Sequence, residues 1–186
     1  YVPRSRTSAR AKVSFNVSGL TETSTLTLNS GVVCNGAGDN TNYIFCIPED
    51  ITVPVTNGFA EFNNIEIYEG VFVSENFTVD TSLFNQRYIL DNSFIDTSTI
   101  KVKVKSSSTA TSSVTYKQID NIVGVTSTSN SYLLQEIEDE RYELIFGDNV
   151  IGRKLSNNNY ITASYIVTDG KDGNGASEFS FVGNIT

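Results

Sequence analysis

The sequence predicts a mainly β protein: antiparallel hairpins forming two packed β-rich lobes with little helix. Three observations carry the prediction. Apolar residues recur with period two, the spacing that places alternate side chains on one face of a strand. Ser, Thr and Asn make up about a third of the 186 residues, β-branched and aromatic types are frequent and Ala is scarce, a composition suited to pleated, half-exposed surface. Clusters of Gly, Asn and Asp punctuate the chain every ten or so residues, too closely for βαβ units.

The strands follow in order. In "KVSFNV" Val13, Phe15 and Val17 face inward against Lys12, Ser14 and Asn16, and in "TLTL" Leu26 and Leu28 oppose Thr25 and Thr27. Ile65 and Ile67 alternate with Glu66 and Tyr68. In "IKVKVK" Ile100, Val102 and Val104 face one way and Lys101, Lys103 and Lys105 the other. "YITASYIV" sets Ile161, Ala163, Tyr165 and Val167 on one side, and Phe179 and Phe181 end the series. The segment "SYLLQEIEDERYELIF" fits either a helix stripe through Leu133, Leu134 and Ile137 or a hairpin; the hairpin is preferred, with arms at 132–137 and 142–146 and "EDER" as its turn. Turns are expected at "NSG", "NGAGDN", "TNG", "FGDN", "SNNN" and "DGKDGNG".

This order suggests a linker or arm over residues 1–11, a first β-rich lobe over 12–87 and a second over 88–186, with "TSLFNQR" as the connection. The Ser/Thr run at 106–113 reads as an exposed loop or hairpin tip. The chain opens at Tyr1 and reads as a fragment of a longer protein. No apolar run approaches the roughly 18 residues that span a bilayer.

Thirteen basic residues against 21 acidic leave a formal charge of −8, which disfavours binding to nucleic acid or an anionic membrane. There is no histidine, so the usual general base near neutral pH and every Ser-His-Asp or Cys-His arrangement are missing. The reading is therefore not an enzyme, with no catalytic residues and no cofactor. The acidic cluster Glu136, Glu138, Asp139, Glu140 and Glu143 reads as a solvated hairpin face, since a glycosidase pair needs two carboxyls held across a cleft. Arg4, Arg6, Arg10 and Lys12 form a basic stretch that reads as a linker, with an arm contacting an acidic partner or nucleic acid as the alternative. The three lysines of "IKVKVK" read as protection of an exposed sheet edge. Cys34 and Cys46 read as reduced thiols, with a single bridge left open. The three glycosylation sequons, at Asn16, Asn76 and Asn184, are about as many as chance supplies in so Ser- and Thr-rich a chain.

"DGKDGNG" has the composition of a calcium loop, but the spacing fails. An EF-hand needs oxygen ligands at positions 1, 3 and 5, then Gly at 6 and Glu at 12. From Asp169 the third and fifth places are Lys171 and Gly173; from Asp172 they are Asn174 and Ala176. The glycines therefore matter more than the carboxylates: Gly170, Gly173 and Gly175 turn the chain from one strand into the next, with Asn174 bonding its own backbone. No metal site is expected.

Three segments of the second half, "YILDNSFIDTSTIKVKV", "YLLQEIEDERYELIFGDNVIGRKL" and "NNNYITASYIVTDGKDGNGASEFSF", carry an ordered set of features. Ile95 and Asp96 enter a strand; Tyr142 leads through Phe146 to Gly147, Asp148 and Gly152; another strand ends in Thr168 and Gly170, followed by Gly173 and Asn174. This series resembles the baseplate J-like family, baseplate wedge proteins of contractile-tailed bacteriophages. The first half agrees more loosely through "KVSFNVSGL", "TLTLNSGVV" and "NNIEIYEGVFVSENFTVD". Asn149 departs from the family's frequent Gly after Phe-Gly-Asp, although Asn also tolerates left-handed backbone.

The resemblance implies a viral structural protein of the virion tail baseplate, assembled in the host bacterial cytoplasm. It would be a homo-oligomer, a dimer within a larger ring around the tail tube, with other wedge subunits as partners and neither nucleic acid nor membrane. The alternative is a cell-surface, adhesin-like β-sandwich binding module.

Overall fold

The computed structural model describes residues 5–38, 40–170 and 172–186, with the side chain of Asp172 left out. Fourteen strands and two short 3-10 turns account for its regular structure, so the protein is mainly β. It divides into two compact units. One, named the outer unit for the parts of the sequence it takes, comprises Arg6–Val73, Asp96–Thr99 and Ile166–Thr186; the other, named central because most of it is the middle of the sequence, is built from Ser74–Ile95 and Ile100–Tyr165 with Ser5.

The outer unit holds β1 (Arg10–Val17), β2 (Thr25–Leu28), β3 (Gly31–Gly38), β4 (Thr41–Ile47), β5 (Ile51–Thr56) and β6 (Phe59–Glu69). The eleven-residue β6 pairs with β1 along most of its length, and with β5 and β4 near its two ends. The last strand of the chain, Glu178–Phe181, pairs with β3 at one end of the sheet. Residues 184–186 then return to β2 at the other end: Leu28 bridges Ile185, Thr27 N–H donates to the Thr186 carbonyl (2.7 Å) and Thr186 N–H to that of Thr27 (2.9 Å). This return covers the outer edge of β2, beside a core that includes Leu28, Val33, Phe45, Ile47, Phe62 and Ile67. Its rings pack in pairs, Phe15 stacked on Phe62 at 4.8 Å and Phe45 edge-on to Phe179 at 5.2 Å.

The second sheet uses β7 (Val71–Thr78), β8 (Tyr88–Leu90), β9 (Ile95–Lys105), β10 (Val114–Gln118), β11 (Ser131–Glu136), β12 (Tyr142–Phe146) and β13 (Tyr160–Val167), so that Glu178–Phe181 is β14. Its order is β7-β13-β9-β10-β11-β12-β8. The preferred hairpin is present: β11 and β12 pair from Tyr132 with Phe146 to Glu136 with Tyr142, and a 3-10 turn at Glu138–Glu140 joins them. Residues 106–113 form the tip of the β9–β10 hairpin, whose antiparallel register sets Val104 against Val114. β10 and β11 pair in parallel, a departure from all-antiparallel hairpins made possible by the long 119–130 connection.

Several expectations are corrected. Residues 6–11 are not a free linker: β1 begins at Arg10, and the segment before it is bonded into the outer unit. The division is not one cut between 87 and 88, because the chain after Tyr165 belongs with the first half. β9 lies inside its sheet between β13 and β10, so Lys101, Lys103 and Lys105 do not guard an edge. In β13 the buried face holds Ile161, Ala163 and Tyr165 but not Val167, since Ile166 and Thr168 are buried instead.

Candidate functional site

The nine positions marked by the resemblance fall into two groups, one per unit. In the outer unit, Asp96 on β9 is 2% exposed. Its Oδ2 accepts the buried Ser8 N–H (2.9 Å), its Oδ1 accepts the Ser98 hydroxyl (2.6 Å) and N–H (3.2 Å), and Arg10 Nη2 stands 3.7 Å away. One carboxylate thus collects backbone, hydroxyl and guanidinium donors, an arrangement strong enough to hold a charge out of water. Thr99 links this group to β13: its hydroxyl donates to the Asp96 carbonyl (2.6 Å) and accepts Ile166 N–H (2.9 Å).

Thr168 and Gly170 close the other side of the same N-terminal segment. The Thr168 hydroxyl donates to Glu69 Oε2 (2.8 Å), and accepts Gly170 N–H (3.1 Å). Gly170, at φ +122°, presents its carbonyl to Ala9 N–H (3.3 Å), while the Ala9 carbonyl accepts Glu69 N–H (2.8 Å). Arg6 Nη1 donates to the Asp169 carbonyl at 2.8 Å. Gly173 is needed for space: a Cβ there would lie 2.7 Å from Glu69 Cγ and 3.2 Å from Ala9 Cβ. The segment 6–10 is therefore strapped between β9, the end of β6 and the turn after β13.

That geometry also redefines the basic stretch. Arg10 pairs with Glu66 at 3.4 Å, donates to Ser98 Oγ at 2.8 Å and lies over the Tyr68 ring, so it is engaged within its own unit. Arg4 and Lys171 lie outside the described residues. Asn174 sits exposed in the 3-10 turn Asp172–Gly175 and makes no side-chain hydrogen bond with the described residues, which corrects the expected self-bonding.

In the central unit, Phe146 is the hub of an aromatic cluster, with ring centroids 5.5 Å from Tyr88, 5.7 Å from Tyr116 and 6.2 Å from Tyr132. Burial pushes the Tyr132 hydroxyl up to about 12, so the cluster stays neutral at ordinary pH. Immediately after Phe146 the chain folds back on itself. Asp148 Oδ1 accepts the N–H groups of Val150 and Ile151, each at 2.9 Å, and those bonds hold its carboxyl below the usual range. Asn149 takes φ +70°, and its N–H donates to the Gly152 carbonyl at 3.0 Å. Gly147 and Gly152 touch backbone to backbone: a Cβ on Gly147 would lie 2.1 Å from the Gly152 carbonyl carbon. Gly152 itself holds φ +80°, a conformation side chains rarely tolerate. Its N–H donates to the Thr126 carbonyl (3.1 Å), which anchors the loop to the 119–130 connection.

One network had no signal in the sequence. The buried Tyr165 hydroxyl donates to Glu75 and accepts Asn92 Nδ2–H (2.7 Å), and Glu75 also accepts Asp91 N–H at 3.1 Å. Burial, followed by the Glu75 hydrogen bond, raises the Tyr165 pKa. Glu75 lies on β7, Asp91 and Asn92 follow β8 and Tyr165 lies on β13, so the network joins positions that no local pattern links.

Two members of the acidic cluster, Glu143 and Asp139, are paired with cations. Glu143 receives a two-pronged bond from Arg87 (2.8 and 2.7 Å), and Arg141 stands 3.4 Å from Asp91 and 3.8 Å from Asp139. Arg87 holds the Glu143 carboxyl below its ordinary value, the opposite of what a general acid needs. Cys34 and Cys46 are buried free thiols, both raised by burial, Cys46 to about 11. Among the described residues no group of three or more His, Cys, Asp or Glu is placed to hold a metal ion. The motif positions other than Asn174 shape the backbone: one group straps the N-terminal segment into the outer unit, and the other builds the turn after β12 and anchors it to the 119–130 connection. No protein-family model matches the chain, and no curated protein is significantly similar to it.

Proposed function

We propose that this chain is a structural subunit of a bacteriophage tail baseplate wedge, self-associating and binding neighbouring wedge proteins in the ring around the tail tube. The observation that carries the reading is the work done by the motif residues. Asp96, Thr168, Gly170 and Gly173 strap the N-terminal segment, and Phe146, Gly147, Asp148 and Gly152 build the ring cluster and tight turn at the end of β12. A pattern spent on rigid clasps suits a protein that presents fixed surfaces to neighbours and keeps them fixed under load. On this reading the protein resides in the virion tail, is assembled in the host cytoplasm, and changes its arrangement with neighbours when the sheath contracts.

The test is reconstitution. The chain is mixed with the other wedge proteins of the same tail gene cluster and the mass of the product is measured by light scattering. Stable complexes of defined stoichiometry are expected; no complex with any of them, or saturable glycan binding by the isolated chain, overturns the reading in favour of an adhesion module.

A further inference from the structure

The loop between β7 and β8, residues 79–87, carries the most exposed large apolar side chain of the described residues, Phe84 at 94%, beside Leu83 at 56%. Such exposure on a floppy loop is ordinary, but this loop is built. Asp80 Oδ1 accepts the Ser82 N–H (2.9 Å) and hydroxyl (2.6 Å). Gln86 Oε1 accepts Asp80 N–H (2.9 Å), Gln86 Nε2 donates to the Thr78 carbonyl (2.8 Å), and Thr81 N–H donates to Asn157 Oδ1 (3.0 Å). The loop is fixed at its base and across its width while its apolar tip faces water. Holding an aromatic side chain out on a preorganised loop lowers the ordering entropy of docking it.

Leu83 also lines a pocket of about 350 Å³ in the same unit, whose apolar lining includes Val79, Tyr88, Leu144, Ile145, Phe146 and Leu155. That space admits an aromatic ring. Knob and hole thus share one loop, the arrangement a two-fold interface needs, since each copy must offer both halves of the contact. Charge agrees: the chain carries −8 overall, but the pocket's charged groups, Asp80, Glu143 and Lys154, together with Arg87 on Glu143, are two acids and two bases. Two such rims meet without the repulsion that the rest of the surface imposes.

We propose that this loop is a self-complementary docking element whose occupant is a second copy of the chain, with Phe84 of each copy seated in the pocket of the other. It deepens the self-association in the wedge reading, yet it concerns the isolated chain and stands or falls without any other wedge protein. The contact is small, below the roughly 1,200 Å² of a standard interface, so the isolated chain dimerises weakly, with Kd on the order of 0.1–1 mM.

Sedimentation equilibrium from ~10 μM to ~1 mM tests this, with Phe84→Asp as the variant. Because Phe84 is almost fully exposed, that variant keeps the wild-type melting temperature and is expected to lose at least tenfold in association constant. A second arm mixes Phe84→Cys protein with Lys154→Cys protein under mild oxidation; the buried native thiols do not compete, and the mixed disulfide is expected to exceed both homodimers. A wild-type chain that stays monomeric at ~1 mM, or dimerises equally well as Phe84→Asp, overturns the proposal. If the isolated chain stays monomeric but Phe84→Asp fails to enter the reconstituted wedge, the occupant is another wedge protein, and the second-copy assignment fails while the wedge reading survives.

Discussion

Replacing Asp96 gives the sharpest test of the strap. Truncation to Ala orphans the Ser8 N–H, a buried donor, at about 1–3 kcal/mol. Ser98 is exposed and turns to water, so its two bonds add little. Arg10 is 38% exposed, lies 3.7 Å away and keeps Glu66, so its lost attraction is screened to less than about 1 kcal/mol. Asp96→Ala should therefore cost about 1–4 kcal/mol. Asp96→Asn retains one carbonyl oxygen for Ser8 and should cost only about 1–2 kcal/mol. Urea unfolding at constant m-value measures both, and amide hydrogen exchange reports the Ser8 N–H directly. The expected pattern is Ala worse than Asn, with Ser8 protection lost in Ala and partly kept in Asn. Equal costs for the two variants, or unchanged Ser8 exchange in Asp96→Ala, would refute the account of the carboxylate as the anchor of the N-terminal segment.

The close approaches make steric predictions. Gly147→Ala sets a methyl 2.1 Å from Gly152 backbone, where no side chain can swing away, and should cost more than about 3 kcal/mol; Gly173→Val presses on the Glu69 side chain at 2.7 Å and should cost about 1–3 kcal/mol, both read as shifts in thermal midpoint. The Glu143 carboxyl is depressed below its ordinary 4.5, so the stability it contributes is present above that pH and disappears as pH falls through the lower folded value. The stability gap between wild type and Arg87→Gln should accordingly be wider at pH 6 than at pH 3, and a gap unaffected by pH would sink the assignment. Cys34 and Cys46, buried and raised, should resist a thiol reagent at pH 8 until urea exposes them; a fast-reacting thiol in the native protein would contradict their placement.

Alternation made most strands legible because each of them borders a single core. Val13, Phe15 and Val17 in β1, and Leu26 and Leu28 in β2, are more buried than their neighbours, as period two requires. The β11–β12 hairpin was legible over its helical rival because Tyr142, Leu144 and Phe146 continue period two after the turn. Turn chemistry was legible where a conformation demanded it, as at Asn149 and Asn158, both at positive φ. Gly173 was legible as a turn glycine, but its constraint is the Glu69 side chain, more than a hundred residues earlier in the chain, which no local pattern encodes.

The two-unit partition was hidden for a related reason. A strand whose residues divide between two cores can bury neighbouring positions, a step in parity that β4 also shows inside one unit at Phe45, Cys46 and Ile47. β9 buries Ile95 with Asp96 and Thr99 with Ile100, and β13 buries Tyr165 with Ile166; at each of these pairs the chain passes from one unit to the other. In sequence such a step reads as noise on an otherwise good alternation, so "YITASYIV" is taken as one uniform strand and Val167 is turned inward. The polar residues beside the steps carry the missing information. Asp96 and Thr99 belong to the two β9 pairs, Thr168 follows the β13 pair, and each is buried with at least one hydrogen bond to a residue far away in the chain. A buried Asp or Thr next to a parity step is thus a physical marker of a strand shared by two units. By that criterion the strap and the partition are one feature: the chain can change cores in mid-strand because polar side chains at the crossing points bond the backbone of neighbouring segments, the N-terminal one among them.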